Sequence, residues 1–254
     1  MRGVAVEAAP LMRFLAAGWD KSFPQLAAGP SPMPSVASTV QGMWEVVAIA
    51  TAFVVAVWVQ CIVVPTLRQP HVDDGDETPD FTGLGSASNV LLVLVCAALG
   101  GLAAWHTSTP AWPWLGYIAL GAPLVVVDLR TTYLPNQLMY PLWATIGVGL
   151  AVSATTDVRG AIAGVTGALA GYTWFWCVWR LSSTFGFGDV RLAAAAGAIA
   201  GMSGMTGWLT SLVVATAIGA VAAIIARASG RTVVPYGPWL WLGPVVAAWL
   251  PTGS

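Results

Sequence analysis

Two aspartates in this chain stand where an acid is costly. Asp189 lies in the stretch TFGFGDVRL (residues 184–192), between a glycine-rich turn, Gly186 and Gly188, and an apolar run of small residues that begins Leu192-Ala193-Ala194. Asp128 closes the apolar run 118–127 and is followed by Leu129-Arg130-Thr131-Thr132-Tyr133-Leu134-Pro135-Asn136. Ionisable groups beside or inside hydrocarbon are rare and by default mark function. Amide hydrolysis needs a base to activate water and an acid to protonate the leaving group. Two carboxylates held close can supply both, because like charges that near cannot both ionise and the pair shares a proton. Their separation in sequence is no obstacle; each need only sit at the same end of its apolar run. Gly186 and Gly188 remove side-chain bulk beside Asp189, which would let an extended backbone approach. Asp189 would open a helix, where the dipole favours negative charge, and Asp128 would end one, where it does not. The expectation is therefore that Asp189 holds the charge and Asp128 the proton. Simpler readings exist for each: Asp189 as a helix cap, Asp128 as a solvated helix end. Arg130 and Arg191 read as anchors at the membrane boundary, with substrate or lipid contact as the alternative.

The elements that must position these acids are apolar. Of 254 residues, 57% are hydrophobic and only 8% charged, with a mean hydropathy of +0.76. A soluble domain carries about 25% charged residues, so the composition is that of an all-α, polytopic transmembrane helix bundle in a lipid bilayer. A net charge of −1 leaves no basic footprint for nucleic acid. Cys61, Cys96 and Cys177 are far apart and form no CxxC pair, so they read as buried thiols in helices. His71 and His106 have no ligand spacing and read as loop or interface residues. No metal and no cofactor is called for. Many tryptophans fall near run ends, among them Trp44, Trp58, Trp105, Trp112, Trp114, Trp143, Trp239, Trp241 and Trp249, as expected of indoles at headgroup level.

About eight spans emerge from the apolar runs, near 43–67, 89–106, 114–128, 135–155, 160–181, 189–202, 206–226 and 237–250; about 20 apolar residues suffice for one crossing. Residues 1–42 read as an N-terminal tail, within which translation could also begin at Met33, or just beyond it at Met43. Residues 43–110 read as two helices joined by an acidic loop (68–88, with Asp73, Asp74, Asp76, Glu77 and Asp80), and 111–254 as a six-helix membrane domain. With eight spans, Arg68, Arg130, Arg180, Arg191, Arg227 and Arg231 share one side, against Arg159, Arg2, Arg13 and Lys21 on the other. Basic residues in short loops favour the cytoplasm, which places both aspartates near the cytoplasmic face of the cell membrane. Small residues at helix-contact spacing, Gly160 and Gly164, Gly167 and Gly171, Gly197 and Gly201, mark the fifth and sixth helices as interior.

Three elements then carry a resemblance. Gly186-Phe187-Gly188-Asp189-Val190-Arg191-Leu192 resembles the GxGD signature of the type IV prepilin peptidases, in which lysine is commoner than Arg191. Asp128 with Leu134-Pro135-Asn136 resembles that family's first catalytic aspartate and its downstream Ile/Leu-Pro-Asn/Asp element. Val234-Pro235-Tyr236-Gly237-Pro238-Trp239 resembles its late Pro-Phe/Tyr-Gly-Pro segment. The resemblance spans about residues 114–250. It implies a six-helix GxGD core and an aspartic endopeptidase with Asp128 and Asp189 as catalytic pair. Gly186, Gly188, Arg191, Pro135, Asn136, Pro235, Gly237 and Pro238 would support that pair. It also implies a substrate: a prepilin or pseudopilin precursor, cut after a glycine that precedes its hydrophobic helix, with loss of a short basic leader. Bifunctional members also N-methylate the new terminus, and many carry two CxxC pairs between their first two helices. Here residues 68–88 hold no cysteine, so the reading is peptidase only; that acidic loop could attract the basic leader. A presenilin-like protease fits less well, because Val127 rather than tyrosine precedes Asp128. A transporter using the acids as ion sites, and an inactive assembly protein, remain as alternatives.

Overall fold

A computed structural model of the protein describes residues 36–68, 79–182, 185–230 and 234–250. Asp73, Asp74, Asp76, Glu77, His71, Thr184, Arg231 and the tail residues Arg2, Arg13 and Lys21 lie outside the described residues. The chain divides into two compact units, 1–41 and 42–254, and both aspartates belong to the second. The described residues are helical, with no strand among them. The helices are α1 (Val36–Trp58), α2 (Ala87–His106), α3 (Trp112–Thr131), α4 (Asn136–Ser153), α5 (Val158–Leu181), α6 (Phe187–Gly201), α7 (Gly204–Ala228) and α8 (Gly237–Ala247). After α1 the chain widens into a π turn, Val59–Val63, and tightens into a 3-10 turn, Val64–Thr66. The π turn buries Gln60, whose Nε2 donates to the Leu84 carbonyl at 2.6 Å and so draws the segment before α2 back onto the first helix.

Five segments are long and apolar enough to cross a membrane: Gly42–Thr66, α2, α3, α5 and α7. The other three fall short of that measure for different reasons. At about 1.5 Å rise per residue, the 15 residues of α6 and the 11 of α8 reach well under a hydrocarbon thickness of about 30 Å. Helix α4 has 18 residues but spends its first turn on Asn136 and Gln137 and carries Pro141 inside. Helix α6 need not match the lipid, since nearly all its residues from Asp189 to Gly201 are buried against protein.

Which helices are interior differs from the reading of the glycine spacing. The buried helices are α3 and α6; α5 buries little beyond its glycine face. That face forms a close seam with α6. A Cβ on Gly171 would lie 2.6 Å from the Ala193 carbonyl oxygen, one on Gly201 would lie 2.5 Å from that of Ala163, and one on Gly167 would fall on the carbonyl of Gly197. Without side chains the two backbones meet directly, the usual device for packing helices in lipid. Trp208 closes the seam by donating from Nε1 to the Gly167 carbonyl at 3.0 Å. Gly160 is not part of it: its N–H donates to Asp157 Oδ1 at 2.9 Å, a cap at the start of α5.

Two of the run-end tryptophans are core residues rather than headgroup anchors. Trp114 and Trp241 are fully buried. Trp241 stacks on Tyr117 at 5.6 Å between centroids; its Nε1 donates to the Tyr117 carbonyl, and Tyr117 Oη donates to the Trp241 carbonyl. The reciprocal pair satisfies both polar tips inside apolar surroundings and locks α3 to α8. Gly121 makes room, since a Cβ there would lie 2.6 Å from Trp241 Nε1. The thiols also differ from expectation: Cys61 and Cys177 are exposed and Cys96 half-buried. His106 ends α2 and stacks on Trp249 at 4.1 Å.

Candidate active site

Asp128 lies in the last turn of α3 and is only 3% exposed, so it is not a solvated helix end. The helix runs three residues further and stops at Thr132, whose left-handed backbone (φ 54°) is rare for a β-branched residue. The Thr132 N–H closes the turn on the Asp128 carbonyl at 2.8 Å. The Asp128 side chain is held from 109 residues away: the Gly237 N–H donates to Oδ2 at 2.9 Å. Gly237 opens α8, where backbone N–H groups have no helical partner and the dipole favours an anion. A Cβ on Gly237 would sit 2.7 Å from Asp128 Oδ2 and 3.3 Å from Leu192 Cδ2, so only glycine admits the carboxylate here. Pro238 follows in the first turn, where its missing N–H leaves no gap in the helix, and Pro235 lies half-buried just before.

Asp189 is the third residue of α6 and 9% exposed. It is not the cap: Gly186 holds that position, and no side chain caps the helix. Its N–H donates to the Gly186 carbonyl at 3.2 Å, while Oδ1 is buried with no hydrogen-bond partner. Each carboxylate thus has a backbone donor at a helix start, Gly237 for Asp128 and Gly186 for Asp189, and Asp189 Oδ1 is left buried without a partner. The glycines beside Asp189 differ from each other. Gly186 is exposed and borders Asp189 Oδ2, whereas a Cβ on Gly188 would lie 2.8 Å from Leu134 Cβ. Gly188 therefore serves close packing against the Leu134-Pro135 segment rather than an opening for substrate.

The three sequence elements converge. The charge of Asp128 is near enough to act on Asp189. Gly237 bonds Asp128, and a Cβ on it would also meet Leu192, one turn beyond Asp189 on α6. Tyr236 precedes Gly237 and lies near Asp189: burial, and then the Asp189 carboxylate, push its phenol above the ordinary value. Its ring packs on Phe185 at 5.5 Å and fills the space over Gly219. Asn136 accepts a hydrogen bond from Arg191, and Pro135 is buried next to it as the residue before α4. Arg130 donates from Nε to Asn89 Oδ1 at 2.9 Å. The site thus holds two buried carboxylates, with Asp128 Oδ2 accepting from the Gly237 N–H and Asp189 Oδ1 without a hydrogen-bond partner. Sequence reasoning took Trp143 only for a headgroup anchor, whereas its Nε1 donates to the Arg191 carbonyl, and it did not assign Tyr236 or Asn89 to the site. Only Tyr236 left a signal, as the variable position inside the late Pro-Tyr-Gly-Pro motif.

Comparison with known proteins identifies a family. Residues 114–225 match the model of the type IV leader peptidase family. The prepilin leader peptidase/N-methyltransferase of Escherichia coli (strain K12) is 33% identical over 168 residues, 61% of this chain and 71% of that protein. The protein of that description from Burkholderia pseudomallei (strain 1026b) is 34% identical over 154 residues, 58% of this chain and 48% of the relative. That of Neisseria gonorrhoeae is 33% identical over 171 residues, 63% and 55% of the two chains. No solved structure matches the chain. The chain belongs to the type IV leader peptidase family, and it spans about half the length of several curated relatives that it matches.

Proposed function

We propose that this protein is a membrane-embedded aspartic endopeptidase that removes the leader of a type IV prepilin or pseudopilin precursor, with Asp128 and Asp189 as its catalytic pair. The observation that carries the reading is Gly237: at the start of α8 its N–H bonds the Asp128 carboxylate, in a space where a side chain would also run into Leu192 on the helix of Asp189. The substrate class comes from what the relatives are named for. All eight helices take part in an eight-span arrangement of the cell membrane, with α3–α8 as the peptidase core. The short helices α6 and α8 cross as members of a packed bundle, and α4, with Tyr140, Val148 and Val152 exposed, crosses on its outside. Arg68, Arg130 and Arg191 lie at the end of the bundle that holds the aspartates, which supports a cytoplasmic-face site, where a basic leader would be met.

In this proposal Asp128 starts ionised, its charge held by the Gly237 N–H, and Asp189, whose Oδ1 has no partner, starts with the shared proton. Asp128 removes a proton from water as the water oxygen attacks the scissile carbonyl carbon. Asp189 gives its proton to the carbonyl oxygen, and the tetrahedral carbon that results carries two hydroxyls. Collapse breaks the C–N bond. The proton held by Asp128 passes to the leaving nitrogen, and Asp189 recovers one from a hydroxyl, restoring the pair.

The test is leader cleavage. The chain is co-expressed with prepilins from its own genome, and wild type, Asp128→Asn and Asp189→Asn are compared by mobility shift. Cutting by wild type alone, with all three proteins inserted equally, is the expected result. Cutting by either variant at the wild-type rate overturns the mechanism. Failure of wild type on every prepilin overturns the substrate assignment.

A further inference from the structure

One side chain outside the carboxylate pair ties the two halves of the site together. Asn136 is the eighth residue after Asp128, and Arg191 the second after Asp189. Arg191 Nη1 donates to Asn136 Oδ1. The guanidinium carbon lies 4.7 Å from the centroid of the Phe187 ring and 5.8 Å from that of Tyr140, both within cation–π range. The Arg191 carbonyl accepts from Trp143 Nε1 at 3.0 Å, a second tie from α4 to the start of α6. Below these, Gly188 is pressed against Leu134. Phe187 is wedged in turn against Trp179 and Tyr172 of α5. The cation is therefore occupied by protein on several sides. A planar fork can bond an amide oxygen and lie over rings together, whereas an ammonium is a point charge.

We propose that Arg191 is a positioning residue: its clasp on Asn136, seated between Phe187 and Tyr140, fixes the first turn of α6 so that Asp189 faces Asp128. It is not a substrate or lipid contact. The proposal rests on the peptidase reading for its effect on rate, but the clasp itself can be observed without catalysis. The physical reason is leverage. The first turn of a helix is held by few hydrogen bonds of its own, and Asp189 sits in that turn with an oxygen that has no partner. A shift of about 1 Å in a reacting group can cost on the order of 10²-fold in rate.

The experiment uses the full chain in detergent micelles, with wild type, Arg191→Ala, Asn136→Ala, the double variant and Arg191→Lys. Cleavage of a prepilin gives kcat and KM, and deuterium uptake is read over 185–192. The expectation is that both single alanine variants lower kcat by roughly 10-fold to 10²-fold with KM nearly unchanged. The double variant falls no further than the worse single, Arg191→Lys recovers part of the loss, and both singles raise uptake in 185–192. A rise in KM at constant kcat for Arg191→Ala makes the residue a substrate contact and overturns the proposal. So do independent, multiplying effects in the double variant. Unchanged uptake in Asn136→Ala overturns the clasp whatever the kinetics, and guards against a simple folding failure of Arg191→Ala. Should wild type cut nothing, the peptidase reading falls and with it the role in catalysis. The uptake data then show separately whether the clasp exists.

Discussion

Glycine does opposite work in two regions of this molecule. Along the α5–α6 seam, the atoms that a Cβ on Gly167, Gly171 or Gly201 would meet first are backbone carbonyls of the facing helix. Around the carboxylates, a Cβ on Gly237 would meet the Asp128 side chain, and one on Gly186 the Asp189 side chain. A carbonyl in a packed helix cannot move aside, so the seam glycines hold the bundle closed. A carboxylate can swing, so the site glycines set where an acid points. The difference predicts that stability and activity can be separated by choosing which glycine to fill.

The largest effect should come from the acids themselves. Asp128→Asn and Asp189→Asn should each cost on the order of 10³-fold in cleavage, the scale of lost acid–base catalysis. The double variant should fall little further, because groups acting as one unit are not additive. Neither substitution should reduce the thermal midpoint, because an amide fits the same space without the cost of burying a charge. If the two losses multiplied, the aspartates would be acting independently and the shared-proton picture would fail.

Gly237→Ala comes next and tests the site side of the comparison. Its Cβ would press Asp128 Oδ2 off the α8 amide, and misplacing the carboxylate should lower kcat by about 10²-fold. The protein should stay folded, as read by its elution and melting in micelles. Gly197→Ala tests the seam side. Its Cβ would fall on the Gly167 carbonyl and lie 3.4 Å from Trp208 Nε1, and overpacking of that kind costs about 1–3 kcal/mol. Its activity should fall only as the folded fraction falls. A Gly197→Ala protein that melts normally yet cuts poorly would erase the distinction between the two regions.

Much of this was readable in the chain, for reasons that particular residues make plain. Most helix ends, though not the start of α1, came within a few residues because apolar runs stop at Asp128, at the Thr156-Asp157 turn and at Gly186-Phe187-Gly188, where polarity or glycine interrupts them. That the aspartates belong at one end followed from alternating helix direction. The partner of Asp128 was not readable, since it is a backbone N–H at Gly237 and main-chain donors leave no mark in residue type. The interior was only partly readable: the glycine spacing marked α6, which is buried, but missed α3 and overstated α5. Spacing alone cannot tell a glycine that caps, such as Gly160, from one that packs, such as Gly171. Tryptophan position likewise cannot separate a headgroup anchor from Trp241, which is buried only because Gly121 and Tyr117 receive it. Length and apolarity alone mark five of the described segments as able to cross a membrane. A helix covered by protein, such as α6, is freed from the length that lipid demands.

The smallest effect bears on where the site borrows stability. Thr132 holds a left-handed backbone at the end of the helix that carries Asp128, and such a conformation costs a branched residue about 1–3 kcal/mol. The hydroxyl offsets part of this by donating to the Thr131 carbonyl at 2.7 Å. Asparagine tolerates that backbone far better without adding freedom to the unfolded chain as glycine would. Thr132→Asn should therefore raise stability by about 1 kcal/mol, a few degrees in the melting midpoint. A rise with cleavage unchanged would mean that the strain is incidental to the sharp exit toward Leu134-Pro135. A rise with slower cleavage would mean that the strained turn helps aim Asp128, and would place Thr132 with the site rather than with the scaffold.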